Sequence, residues 1–253
     1  MNILNYCQML ELKYYCDSII SPVYKMFDRC HDHRHYREVI KSAMLATCNI
    51  DNYFPDFKEK YNNDINLSII LAAAYHDIGR IIDEDDHELA SVKILSKDRE
   101  LSNSFFFDND NVNKGRVMFL AKTMIQYHRR KYHESSIGLH HIDDWKVKEL
   151  CRILYDCDKS MQSDKDRVLY RYIAFYLDRI VYKKMLSTDQ EIEEMVENRW
   201  KKLGEGIYMG FNPKSKTFQE MANDKNIPSI HTGPFTFTKE DILESYNRNF
   251  NFK

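Results

Sequence analysis

The chain has 253 residues, a formal net charge of −2, 43% hydrophobic residues and 30% charged ones. This is an ordinary globular composition. It excludes a disordered chain, and it is long enough for one large core with an appendage but short for two full domains. The near-neutral balance speaks against a dedicated nucleic-acid surface, which usually carries a strong basic excess, and leaves a small polar substrate open.

Seven glycines and five prolines are few, which suits helices better than hairpins. The N-terminal stretch MNILNYCQMLELKYYCD has no basic region and no long apolar core, so no signal peptide is expected. Ser21-Pro22 reads as a helix start, with Ser at the cap and Pro in the first turn. The apolar spacing predicts helices over about 33–48, stopped near Asn49, and about 65–77, ending before Gly79. Further helices are expected from Asp85/Asp86 onward, over about 113–130, 144–158 and 165–184. Thr188 to Glu191 resembles a capping box for a helix ending at Gly204, and Thr238 to Asp241 a weaker cap for a last helix. The stretch 205–237 gathers three glycines and three prolines and is expected to be irregular, with room for a short hairpin. The expectation is therefore an all-α fold, with a helical domain over 1–185 and an extension over 186–253 packed on it. No run approaches the ~20 apolar residues that span a bilayer. Cys7, Cys16, Cys30, Cys48, Cys151 and Cys157 form no C-x-x-C pair, so reduced thiols and a cytoplasmic protein are expected.

Five polar residues stand on apolar helix faces. Residues three, four, seven and eleven apart share a face. His35 is followed on its face by Val39, Ala43 and Ala46. His76 is preceded by Ala73, Ala72 and Ile69. His87 is followed by Ala90, Ser91, Ile94 and Leu95, while His128 is preceded by Ile125, Met124, Ala121 and Val117. Asp158 is preceded by Tyr155, Leu154, Cys151 and Val147. One such histidine is usually a satisfied core residue. Burying four imidazoles and a carboxylate without partners costs several kcal/mol each, and a shared metal ion removes that cost. The same phase argument sets Asp156 apart, on a more polar face with Glu149, Arg152 and Ile153. It is expected to be solvated, or to support a ligand from behind.

The segment AAAYHDIGR (72–80) carries the most specific signal. Its His76-Asp77 doublet closes an Ala-rich helix whose small side chains admit close neighbours. HDIG after an apolar helix resembles the signature of the HD-superfamily phosphohydrolases. HDHRHYREV (31–39) resembles that family's opening element, in which the second His, here His35, is the ligand. CDKSM (157–161) resembles the element with the last Asp, here Asp158, although Cys157 and Ser160 stand where Ala and Leu are usual. HELAS (87–91) and IQYHRR (125–130) resemble the elements that supply two further histidines in dinuclear members. The resemblance covers roughly 25–165. It implies an HD-type helical bundle holding one or two divalent transition-metal ions (Mn, Fe, Co, Ni or Zn) on His35, His76, Asp77, His87, His128 and Asp158. It also implies hydrolysis of a small phosphate ester, a nucleotide first of all, by metal-activated water. Asp77, Arg80 and Lys159 are the expected catalytic residues. The rival expectations are a di-iron oxygenase on the same ligand set and a non-catalytic nucleotide-binding module. Oligomeric state stays open.

For the other polar residues the alternatives remain level. His31 is either near the site or on the surface, and Arg80 either binds phosphate or pairs with the acidic run 83–86. Arg129, Arg130 and Lys131 either bind phosphate or are a solvated helix end. His133, His140 and His141 are expected to be exposed, and His231 has no assigned role.

Overall fold

The computed structural model of the chain describes residues 3–27, 31–57, 63–104, 107, 112–134, 138–174, 190, 194, 197–198, 207–225, 227 and 230–250. Its elements are α1 (Ile3–Ile19), α2 (Ser21–Tyr24), α3 (His33–Tyr53), α4 (Asp64–Tyr75), α5 (His87–Lys97), α6 (Arg99–Ser102) and α7 (Lys114–Gln126). These are followed by α8 (Arg130–Glu134), α9 (Trp145–Lys159), α10 (Lys165–Ile173), β1 (Ile207–Phe211), α11 (Lys216–Asn223), β2 (Gly233–Phe237) and α12 (Lys239–Phe250). Short 3-10 turns cover Ile78–Ile81 and Ser160–Ser163. The fold is all-α, with two short strands among the described residues. Among the described residues no helix is long and apolar enough to cross a membrane.

Two compact units emerge. The first comprises Met1–Phe27, His31–Ser160 and Pro213–Asn226, and the second Asp28–Cys30, Met161–Asn212 and Ile227–Lys253. Residues 213–226 lie within the stretch read as an extension, yet they belong to the first unit.

The centre of the first unit is α4. Every residue from Asp64 to Tyr75 is buried, as a helix apolar on all sides must be. Helices α1, α3, α7 and α9 pack around it, and α5 packs on α7. The Ala72–Ala74 run lets them come close. Asp64, at the start of α4, is kept in the core by Asn113 N–H (2.9 Å) and Arg116 (3.2 Å). Asp32, Asn113, Asp144 and Ser215 cap α3, α7, α9 and α11 through their side-chain oxygens.

Several boundaries differ from expectation for local reasons. Helix α3 runs past Asn49 to Tyr53, because Asn49 bonds back to the Leu45 carbonyl (2.8 Å) rather than ending the helix. Ser21 lies inside α2, and Ile20 holds the cap position. The expected 113–130 helix breaks after Gln126 and resumes at Arg130, so His128 sits just beyond a helix end. The N-terminal helix α1 was not foreseen as a separate element. The helix expected over 188–204 and the end of the one over 165–184 lie outside the described residues, apart from a few isolated positions.

In the second unit, α10 packs on α12, and β1 pairs antiparallel with β2 from Ile207↔Phe237 to Phe211↔Gly233. The strands do not form a tight hairpin, since the chain between them contains α11. Gly233 has φ +117°, a conformation that only glycine adopts without strain. Thr238 and Asp241 form the expected reciprocal cap: Asp241 N–H donates to Thr238 Oγ1 (3.1 Å) and Thr238 N–H to the Asp241 carboxylate (2.9 Å).

Candidate metal centre

Five helix ends bring the site together. His35 lies in the first turn of α3, its backbone N–H on the Asp32 cap at 3.3 Å. His76 follows the last residue of α4 and Asp77 comes next, where the helix gives way to a 3-10 turn. His87 opens α5, His128 follows α7, and Asp158 is in the last turn of α9. All six side chains are buried.

The turn after Asp77 sets the positions. Gly79 N–H donates to Ser91 Oγ (2.8 Å), and that hydroxyl donates to the His76 carbonyl (3.0 Å). A Cβ on Gly79 would lie 2.1 Å from the His87 carbonyl oxygen and 2.4 Å from Ser91 N. Gly79 was read as a helix stop. Its role is instead to let the turn lie directly against the start of α5, which puts His87 beside Asp77. Tyr24 supports the same turn, with its hydroxyl donating to the Ala74 carbonyl (3.0 Å) and accepting from Asp77 N–H (3.3 Å). No sequence feature marked Tyr24 for this.

The ligand atoms form two groups that share Asp77. Asp77 Oδ2 lies 3.3 Å from His76 Nε2 and 3.7 Å from His35 Nε2, and those two nitrogens are 3.3 Å apart. Asp77 Oδ1 lies 3.1 Å from His87 Nε2 and 3.7 Å from His128 Nε2, themselves 3.4 Å apart. Asp158 Oδ1 stands beside the first group, 3.1 Å from His35 Nε2 and 3.9 Å from His76 Nε2. Each group, His35–His76–Asp77 and Asp77–His87–His128, can hold a metal ion.

The donor set fits such an ion. Three Nδ1 atoms contact backbone carbonyls: His76 on Ala73 (2.9 Å), His87 on Glu84 (3.1 Å) and His128 on Ile125 (2.6 Å). A carbonyl only accepts, so each Nδ1 carries the proton and each Nε2 turns a lone pair to the centre. Lone pairs of several nitrogens facing one another and a carboxylate repel unless a cation lies between them. Ligand atoms about 2.1 Å from one ion stand about 3.0–3.4 Å apart, close to the spacings here.

The electrostatics agree. Burial alone would raise the Asp77 pKa, but His76, Arg80, His128 and His35 hold the carboxyl well below its usual range. Burial works against charge on His76, yet Asp77 and Asp158 outweigh it and push the imidazole up. In His128, burial prevails and the pKa falls, with Asp77 acting the other way. Arg80 Nε pairs with Asp77 Oδ1 (3.0 Å), and Lys159 Nζ with Asp158 Oδ2 (2.6 Å). Both cations keep partly exposed side chains beside a ligand.

Other expectations change. Asp156 is not solvated. It is 0% exposed and accepts from Lys214 N–H (2.9 Å), Ser215 N–H (2.7 Å) and Ser215 Oγ (2.6 Å). Glu149 likewise accepts from Thr217 N–H (3.0 Å). The polar face of α9 is therefore a socket for the start of α11. Arg129 and Lys131 pair with the buried Glu88 (3.3 and 3.1 Å) while their own side chains stay partly exposed. The Arg130 side chain lies outside the description. His31 is buried, its ring edge-on to His35 at 5.9 Å. His133 is half-buried, not exposed: its ring stacks on Tyr155 at 4.4 Å and its Nε2 donates to the Tyr127 carbonyl (2.7 Å). His140 and His141 are exposed as expected.

No family model, no curated protein and no solved structure matches the chain.

Proposed function

We propose that this protein is a metal-dependent phosphohydrolase of the HD type, acting on a small phosphate ester of the nucleotide class. The observation that carries this reading is the division of Asp77, with one oxygen toward His35 and His76 and the other toward His87 and His128. A carboxylate shared by two imidazole pairs suits two adjacent ions, the arrangement that serves in-line displacement at phosphorus. When bound, the metal supplies a water of lowered pKa and neutralises charge on a phosphate oxygen.

The chain's own groups do the rest. His35, His76, Asp77 and Asp158 would hold one ion, and Asp77, His87 and His128 a second. Arg80 keeps the Asp77 carboxylate ionised and in place, and its guanidinium offers further N–H groups to a phosphate, whose oxygens it matches. Lys159 adds a second cation next to Asp158. The Nδ1 contacts to backbone carbonyls fix three rings, a support whose loss typically costs about 10–100-fold in metal affinity or activity.

Metal analysis and a substrate screen test this reading together. The purified protein should carry one or two transition-metal ions per chain and release phosphate from nucleoside phosphates or cyclic nucleotides. His76→Ala or Asp77→Ala should lose the metal with the helical content kept, while His87→Ala or His128→Ala should each lose one ion of two. Unchanged metal content in all four variants would sink the site. Oxygen uptake by iron-loaded protein without phosphate release would replace the hydrolase with an oxygenase.

A further inference from the structure

A second polar site lies in the first unit on another flank of α9. A cavity of about 540 Å³ is lined by Lys148 and Arg152 of α9, by Lys214 just before α11 and by Lys216 at its start. That volume falls in the ordinary range for small-molecule sites, about 300–1,000 Å³. None of its lining residues belongs to the histidine–aspartate cluster. The chain as a whole is slightly acidic, so four cations around one concavity are a local concentration and not a general basic surface.

The protein supplies little to balance them. Glu149 is the one carboxylate in the lining. It is already engaged by the Thr217 N–H and hydroxyl, and lies 3.9 Å from Arg152. Among the described residues no carboxylate pairs with Lys148, Lys214 or Lys216. The backbone around Lys214 is fixed instead, because its N–H and that of Ser215 are tied to buried Asp156. Two cations from α9 and two from the start of α11 thus stand around an open volume, the last pair on an anchored backbone. Positive groups that converge on a concavity with low-dielectric walls focus the potential there and draw in counter-charge. His133 adds one more polar group to the lining. Its Nδ1 is buried without a hydrogen-bond partner, while Nε2 donates to Tyr127, so Nδ1 can accept from a hydroxyl.

We propose that this cavity is a binding site for a small polyanion, a molecule bearing two or more phosphate groups, separate from the metal cluster. Several fixed cations suit a chain of phosphates better than a single monoanion, since each added phosphate finds another partner. The site stands whether or not the cluster is hydrolytic.

Calorimetric titration of the full-length protein with sodium tripolyphosphate at low ionic strength tests the proposal. The expected result is saturable binding of one anion per chain, weakened by added salt. Lys148→Gln and Lys214→Gln should each weaken it about tenfold, the loss of one charge-assisted contact. Circular dichroism checks that the variants fold, and the exposed Lys216→Gln serves in place of either one that does not. His76→Ala should bind tripolyphosphate within twofold of the unaltered protein. Absence of saturable binding at millimolar anion, or equal affinity in the lysine variants, would overturn the proposal. So would loss of binding in His76→Ala, which would place the anion at the cluster.

Discussion

Two carboxylates of one helix, two residues apart, carry different work. Asp158 and Asp156 are turned about 200° from each other. Asp158 meets His35 at 3.1 Å, whereas Asp156 takes hydrogen bonds from Lys214 and Ser215. Asp158→Asn should therefore weaken metal binding and cut turnover by orders of magnitude while leaving stability nearly unchanged. Asp156→Asn should change turnover only a few-fold. Instead it should lower stability by about 1–3 kcal/mol, because buried donors lose a carboxylate acceptor matched to them. Metal content, turnover and urea unfolding of the two variants separate these roles, and the opposite order would reassign the ligand. Sequence phase alone picked the right face for Asp158. It misjudged Asp156, whose partners lie 58 and 59 residues away and leave no mark on its own helix.

At the scale of elements, the 3-10 turn Ile78–Ile81 and the start of α5 act as one piece, because no atom fits between Gly79 and the His87 carbonyl. Gly79→Ala must push them apart. Overpacking of this kind typically costs about 1–3 kcal/mol. The displacement falls on His87, so the variant should lose stability and also the ion nearer His87 and His128, while retaining the one at His35 and His76. Denaturant unfolding and metal analysis would read both effects, and a Gly79→Ala protein with two ions and unaltered stability would refute this account of the turn. The HDIG motif was legible in the sequence, but its glycine suggested only a helix end. Its actual constraint comes from the backbone of His87 and Ser91, eight and twelve residues on.

At the scale of the whole molecule, residues 213–226 complete the first unit from far along the chain. A protein truncated after about residue 185 would strip Asp156 and Glu149 of their donors and uncover the face of α9 that α11 packs on. Its unfolding midpoint should drop well below that of the full chain, and an equal midpoint would show that α11 contributes nothing to the unit. Stability should also depend on pH through His133. Burial, together with nearby His128, Arg152 and Lys214, pushes its imidazole down to about 4, against an ordinary value of 6.5. Above that ordinary value neither the folded nor the unfolded state binds a proton there. As pH falls below it, the unfolded chain takes up a proton that the folded ring refuses, so stability declines until the folded value is reached and then levels off. Between pH 7 and 4.5 the unaltered protein should lose more stability than His133→Gln in urea unfolding. Equal losses would mean that His133 is solvated.

What the sequence by itself determined is what is local. The helical character, most helix starts, the Thr238–Asp241 cap and the apolar stripes that aim His35, His76, His87, His128 and Asp158 inward all follow from residues within a few turns of one another. Helix periodicity is a short-range property, and it was enough to mark these five residues; Asp77 joined them only through the resemblance of the HDIG run. Only the tertiary structure decided which Asp77 oxygen faces which histidine pair, that Asp156 and Glu149 receive α11, that His133 is covered by Tyr155, and that four cations from α9 and the chain around α11 surround one cavity. Each of these depends on segments far apart in the chain meeting in space. Their pairing is set by packing around the buried helix α4, and no spacing along the chain encodes it.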